Sequence, residues 1–403
     1  MAPEMPEKKL LKKSSPFWAR LKAIDPLVLP AFCVGLPMAW FTASIALSLL
    51  WSLFLKGGLF SIRIPKIFYL FAALYLLYYV GIWDSEDPLA WMHKIRGKVF
   101  YVLIPLAFTR AKVNLDAVKK AWVYGTLLTM ALLLFAAFIR FAVSDNPLEF
   151  FYGKLSLYGH PSYLGFIALV ALLFSWQLDL KQGERIFFTS LSILYIYLLS
   201  ARAVHIAAVP VALILLTQNL RKPKKLRSYI VALLVGVLAC FTINSITQGK
   251  MNRSREAVQV IKANTSTGTS STAVRIDMWG SLLKHVEEYL PMGAGAGFVE
   301  DRLQENWKED GLHYLVDKGY NNVHNQYLQQ YAATGILGLV LLLILIASSL
   351  KGFSFKKNYL PLAFFITMSV CLLFECLIER QMGITAITML LCILHYPKKE
   401  TLA

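Results

Sequence analysis

Charge is what this sequence has least of. Aspartate, glutamate, lysine and arginine make up 16% of its 403 residues, where a soluble chain carries nearer a quarter. That shortfall excludes an ordinary soluble domain. Cysteine is scarce too. The five present (Cys33, Cys240, Cys371, Cys376, Cys392) are odd in number and each lies in an apolar run, which excludes a disulfide framework and reads as small apolar packing. No GxxxxGK[ST] is present, so no loop of that kind cradles ATP. Neither HExxH nor a CxxC pair occurs, so there is no zinc signature. No DxD pair offers a divalent-cation site, and the acidic run DSED at 84–87 reads as a solvated loop. Nothing calls for a metal or a cofactor.

What is there is apolar length. The chain is 57% hydrophobic with a mean hydropathy of +0.54, and apolar runs of about 18 residues or more recur along it. They do not alternate as barrel strands do, and open sheets cannot span lipid. The expectation is an all-α polytopic membrane protein with about twelve spans. These fall near 27–38, 40–55, 66–83, 97–109, 121–142, 161–178, 186–200, 203–219, 228–246, 323–350, 358–377 and 381–396. Pro30 and Pro37 predict a broken or re-entrant first span. The polar, basic first 26 residues are followed by no small-residue cleavage site, so that span is expected to be retained.

Charge sets the orientation. With the N-terminus inside, Lys8, Lys9, Lys12 and Lys13, then Lys56, Arg63 and Lys66, then Arg110, Lys112, Lys119 and Lys120 fall on the cytoplasmic side. The run RKPKKLR at 221–227, Lys351, Lys356 and Lys357, and Lys398 and Lys399 follow them. The opposite loops are poorer in Lys and Arg or balance them with acids. This is the positive-inside pattern, and it accounts for the net charge of +17. A nucleic-acid partner is not expected, because no basic face carries interleaved aromatics.

One segment breaks the membrane rhythm. Residues 247–322 form a long outer loop between a membrane region at 1–246 and another at 323–403. TSTGTSST at 265–272 reads as a flexible linker. VRIDMWGSLLKHVEEYL after it predicts an amphipathic helix with Ile276, Trp279, Leu282, Leu283, Val286 and Leu290 on its apolar face. Pro291, Gly293, Gly295 and Gly297 end it. A loop this long in a compact membrane protein implies a task outside the cytoplasm.

Polar residues at membrane depth are costly and therefore informative. Arg202, in LLSARAVHIA, stands at the outer mouth between two spans, and Arg275 opens the loop helix. The blander readings are a snorkelling arginine and a solvated one. His324 heads the next span in VHNQYLQQYAATGILG. At 100° per residue Tyr331, Gly335 and Gly338 fall on its face, so the glycines are expected to seat a neighbouring helix. The blander reading of His324 is an interfacial hydrogen-bonded ring. YGHPSYLG puts His160 at an outer helix start, and ECLIERQMG puts Glu375, Glu379 and Arg380 at an outer turn. These could complete a polar pocket or be a helix cap and an internal salt bridge. With no metal signature, a reaction here would need an already activated substrate neutralised by arginine, whose fork binds pyrophosphate bidentately.

His324, Asn325, nine residues, then Gly335 and Gly338 resembles the His-Asn…GxxG signature of the bacterial O-antigen ligase and polymerase superfamily. LSARA resembles its serine–arginine motif, with Ala201 where many members have serine or glycine. RIDMWGSLLKHVEEYLPMGAGAGF resembles its R-x-x-x-W…P-x-x-G-x-G segment, and ERQMG is also similar. The resemblance spans roughly 155–385 and is closest to the ligase. It implies a GT-C-like, metal-independent, inverting glycosyltransferase in the bacterial inner membrane, with its active site facing the periplasm. Its donor would be a glycan on undecaprenyl pyrophosphate and its acceptor a sugar hydroxyl of lipid A–core. On that reading Arg202 and Arg275 hold the pyrophosphate and His324 is the general base or positions the acceptor. Asn325, His160, Tyr331, Glu379 and Arg380 support them.

Three other readings fit the hydropathy. A repeat-unit polymerase would use the same donor for both partners. A lipid-linked oligosaccharide transporter would show internal repeats and mid-depth polar sites, whereas the halves here are dissimilar and the polar candidates gather at the outer face. A purely structural scaffold would leave the outer arginines and His324 without partners.

Overall fold

Two helices in this chain are apolar on every side, and the rest of the bundle is built around them. One is α7, Pro161–Gln177, seventeen residues without a charge and buried almost throughout. The other is α15, Gln381–His395, buried from Met382 to Ile393. A helix without a polar face belongs at the centre of a bundle. The computed structural model describes residues 24–55, 59–60, 64–80, 82, 87–110, 112–220, 222–246, 271–355 and 358–397. The basic N-terminal run, Lys56, Arg63, residues 84–86 of the acidic run, the linker up to residue 270, Lys356, Lys357, Lys398 and Lys399 lie outside them.

Among the described residues the chain is helical, with no strand beyond an isolated bridge between Ser354 and Asn358. In order the main helices are α1 Val28–Cys33, α2 Met38–Leu53, α3 Lys66–Leu77, α4 Pro88–Ile95, α5 Phe100–Ala107 and α6 Leu115–Ser144. After α7 come α8 Gln182–Leu199, α9 Arg202–Asn219, α10 Pro223–Ile246, α11 Ser271–Lys284 and α12 Val299–Glu309. The chain closes with α13 Gln326–Ser348, α14 Leu360–Phe374 and α15. Four of these, α6, α9, α10 and α13, are long and apolar enough to cross a membrane; α2, α3, α7, α14 and α15 are apolar but shorter. The predicted first span is broken, with Pro37 capping α2. The predicted span at 97–109 is a 3-10 turn, Arg96–Val99, followed by the eight residues of α5 with Pro105 inside.

α8 packs on α10, α9 on α14, α1 on α6, and α5 on α15. Outward stripes of large apolar side chains remain on α6 (Leu132, Phe135, Phe138, Val143) and α10 (Leu234, Leu238, Phe241). Such stripes suit a lipid neighbour.

A second core lies over one end of this bundle, here called the loop end. Val274, Met278 and Leu282 of α11 meet Leu303 and Trp307 of α12, with Tyr289, Leu315 and Val323, on Tyr331, Ala332 and Ala333 of α13. The buried face of α11 is therefore 274, 278 and 282. Of the face predicted from sequence, Leu282 is buried, while Ile276 and Leu283 are more than half exposed. The i, i+4 rule holds; what the sequence did not show was which of two apolar stripes meets α13.

α13 itself is broken. Thr334 (φ −135°, ψ 16°) and Gly335 (φ 65°, ψ −161°) leave helical geometry, so the residues before and after form two segments. A break in an apolar bundle frees backbone groups that must find partners. The loop 291–297 supplies them: Pro291 O accepts from Ile336 N at 3.2 Å, and Ala294 N donates to Ala332 O at 2.8 Å. This corrects the expected role of the glycines. A Cβ on Gly335 would lie 1.9 Å from Pro291 O, and one on Gly338 1.7 Å from Thr334 Oγ1. They admit a loop carbonyl and a side chain of their own helix, not a neighbouring helix. Gly293 (φ +77°) makes the same fit from the loop side, its ideal Cβ falling 2.6 Å from Gly335 N.

Gly335→Ala should therefore be severe. It combines a positive φ with a backbone clash, and a loss of more than about 2 kcal/mol is expected. Gly183→Ala, on α8 with open space around it, should be neutral or slightly stabilising. Thermal melts of the two purified variants test this; equal melting temperatures would mean the break is not tightly packed.

Candidate functional site

The site gathers at the loop end from four chain segments. Ser200 closes α8 in the left-handed region (φ 50°), Ala201 is extended, and Arg202 begins α9. That two-residue reversal puts Arg202 at the rim, where its Nη1 donates to Thr272 Oγ1 at 2.5 Å. Thr272 is in the first turn of α11, and one turn on stands Arg275. Arg275 Nη1 donates to Ser271 O at 3.1 Å, and Nη2 donates to Glu375 Oε1 at 2.7 Å. Arg275 Nε is buried and meets no acceptor among the described residues.

His324 is not on α13. It sits before the helix in the left-handed region (φ 49°), its N–H held by Asn322 Oδ1 at 3.0 Å. Asn325 is the cap: its Oδ1 accepts from Tyr327 N at 3.0 Å and Leu328 N at 3.2 Å, satisfying two of the first-turn donors. The sequence expectation of one helical face running from His324 to Tyr331 is thus corrected, because the chain turns between them. Tyr331 is buried and donates to Val286 O at 2.8 Å, tying α13 to the loop core. The His324 ring lies 3.3 Å, Nδ1 to Oε2, from Glu375. A left-handed conformation at a non-glycine residue stores strain that the surroundings must hold; here Asn322 and the Asn325 cap hold it.

Two clefts meet at Glu375. The first, of about 350 Å³, is amphipathic: Arg202 and Arg275 share it with Tyr152, Ile206, Ile276 and Phe374. Ile206 and Ile276 are about half exposed, so this cleft borders the apolar outer surface. The second, of about 570 Å³, is more polar and is lined by His324, His160, Asn322, Glu379 and Arg380. Glu375 lines both and is itself only 7% exposed.

Residues 187–343 match the family model described as O-antigen ligase. That match supports the O-antigen ligase and polymerase superfamily for this region. No curated protein matches it. The matched region runs from α8 to the second half of α13 and includes Arg202, Arg275 and His324. It ends before Glu375, Glu379 and Arg380, and begins after His160. Four helices among the described residues, long and apolar enough to cross a membrane, together with this match support a multi-pass membrane protein.

Around this O-antigen ligase region the structure assigns partners that the sequence left open. Glu379 does not pair with Arg380. Its Oε2 meets Lys98 Nζ at 2.9 Å and its Oε1 accepts from Gln326 Nε2 at 2.9 Å. Lys98, 4% exposed, also donates to Ile378 O and lies over the Tyr78 ring, whose hydroxyl donates to Gln330 Oε1. Gln326 Oε1 accepts from Ile378 N. Arg380 is exposed on the polar cleft, without an ion-pair partner among the described residues. His160 caps α7 through Nδ1 to Ser162 N at 3.4 Å and contacts the Tyr152 and Tyr163 rings. Lys98 is the residue sequence reasoning passed over, and Glu375 was placed at the outer turn there but given no site role of its own. Each is a charge at the end of an apolar run, a signal available but shared with many surface charges.

Burial alone would raise the Glu375 carboxyl. The His324 hydrogen bond, with the Arg275 and His160 charges, outweighs burial and holds it below the ordinary carboxylate range. A depressed pKa in the folded state means stability that is present above the unfolded value, near 4.3, and lost as pH falls through the folded one. Melting temperature of the wild type should therefore fall as pH drops below about 4, and this fall should be shallower in Glu375→Gln. For the second pair, Lys98→Met should destabilise by roughly 3 kcal/mol, because it removes the cation from the Glu379 carboxylate and leaves it only the Gln326 amide. Adding Glu379→Gln should recover part of that loss, and melts of the single and double variants would expose additivity if the pair is uncoupled.

Proposed function

We propose that this protein is a lipid-dependent glycosyltransferase that moves a glycan en bloc from undecaprenyl pyrophosphate to a sugar hydroxyl of lipid A–core. The observation that carries this reading is the continuous path Arg275–Glu375–His324 between an amphipathic cleft and a polar one. A polyprenyl pyrophosphate needs guanidinium groups beside an apolar surface, and Arg202 and Arg275 with Ile206, Ile276 and Phe374 offer both. Arg275 also has a spare donor in Nε. An acceptor sugar needs a polar cleft with a base, and His324 lines one.

The reaction that follows is a single displacement. His324 takes the proton of the acceptor hydroxyl as its oxygen bonds to the anomeric carbon. The bond from that carbon to the pyrophosphate oxygen breaks, and the arginines stabilise the departing charge without a metal. A nucleophile entering from the His324 side, with the leaving group on the arginine side, inverts the anomeric centre. The reading puts about twelve spans in the bacterial inner membrane, in a GT-C-like arrangement, with the loop end and its segment 247–322 in the periplasm.

Purified protein with chelator present, given undecaprenyl-pyrophosphate glycan with and without lipid A–core, tests this. Wild type should transfer glycan to the core acceptor, and His324→Ala should be slower by about 10²–10⁴-fold. Glycan lengthening without the core acceptor would make the protein a polymerase. A bound, intact donor with no transfer to either acceptor would leave a lipid-linked oligosaccharide transporter.

A further inference from the structure

Glu375 takes no part in the displacement just described, yet it lines both clefts and is bonded to a residue in each. Resting on that displacement, we infer that Glu375 couples the clefts: a donor pyrophosphate that engages Arg275 releases the Glu375 carboxylate to His324, so that donor binding arms the base.

Two anions compete for one guanidinium. Arg275 Nη2 donates to Glu375 Oε1 at 2.7 Å. A pyrophosphate carries more charge than a carboxylate and accepts the arginine fork bidentately, so it takes these donors on binding. The carboxylate cannot move into water, since it is 9% exposed. A buried carboxylate that loses its counter-charge is costly, and its other oxygen is already 3.3 Å from His324 Nδ1. A carboxylate only accepts hydrogen bonds, so Nδ1 of the neutral ring carries the proton and Nε2 keeps its lone pair. The acceptor proton goes to Nε2, and the resulting imidazolium becomes the counter-charge that Glu375 has lost. With the donor cleft empty, Arg275 holds Glu375 and that incentive is absent. The charged and titratable groups around this pair are Arg202, Arg275, His160, Glu379 and Arg380, with the Tyr320 ring against His324. Glu379 is held by Lys98, which leaves Glu375 as the carboxylate free to change partner.

Glu375→Gln separates this role from a structural one. The variant keeps the shape and loses the charge that His324 needs, while Arg275 no longer has a competitor. Transfer to lipid A–core should fall by about 10²-fold or more, with affinity for undecaprenyl pyrophosphate, measured directly, unchanged or tighter. Azide, a nucleophile that needs no deprotonation, should still yield glycosyl azide in Glu375→Gln and in His324→Ala at near the wild-type rate. Glu375→Asp, which retains charge on a shorter arm, should recover part of the hydroxyl transfer, and serves if the glutamine variant does not fold. Turnover of Glu375→Gln close to wild type would overturn the coupling, as would weaker donor binding with no glycosyl azide. A wild type that binds donor but yields neither transfer product nor glycosyl azide would overturn the transferase reading itself, and the coupling with it.

Discussion

The structure depends on how one broken helix is mended. An apolar bundle gives unpaired backbone groups nothing to bond to, so a break in α13 at Thr334 and Gly335 requires partners from elsewhere in the chain. Pro291 O and Ala294 N provide them, and the loop that carries them is thereby fixed to the bundle. With it comes the second core, because α11 and α12 pack their apolar faces on the first half of the same helix. Arg275 rides on α11, and His324 stands immediately before α13. Their separation therefore follows from a backbone docking made some ten residues away from His324, and the glycines at 293 and 335 matter because a Cβ at either would push the two backbones apart.

The second constraint is electrostatic. Two carboxylates line the polar cleft, each with a buried or partly buried cation: Glu375 with Arg275 and Glu379 with Lys98. Their chemistry differs because their surroundings do. Glu379 is enclosed in a network of Lys98, Gln326 and the Ile378 backbone that joins α13 to the segment between α14 and α15. Glu375 instead stands where two clefts meet, with an arginine on one side and an imidazole on the other. One pair holds helices together; the other lies between two open clefts.

Much of the helical plan was legible from hydropathy, since runs of apolar residues and prolines at their ends have few other solutions in a chain this poor in charge. Boundaries near 161–178, 203–219, 228–246 and 381–396 lie close to the observed helices. The span at 97–109 was less legible, because a window of apolar residues does not reveal that Lys98 is buried in a polar network or that Pro105 interrupts the run. The motif residues Arg202, Arg275 and His324 could be picked out because charge is expensive beside apolar runs. Extending a regular helix back to His324 went wrong: Asn325 is an extended cap, and no periodicity counts across a cap.

Composition and short motifs were enough to establish a helical chain with membrane-spanning character and the family that 187–343 resembles. These follow from composition, local periodicity and short motifs, all of which act over a few neighbouring residues. Tertiary structure alone decided that Glu375, 51 residues beyond His324 and 100 beyond Arg275, bonds to both. It also decided that Gly335 receives a loop carbonyl and that Glu379 answers to Lys98 and not to the adjacent Arg380. Pairings at such separation depend on how helices pack, and packing is the sum of many weak contacts that no short stretch of sequence records.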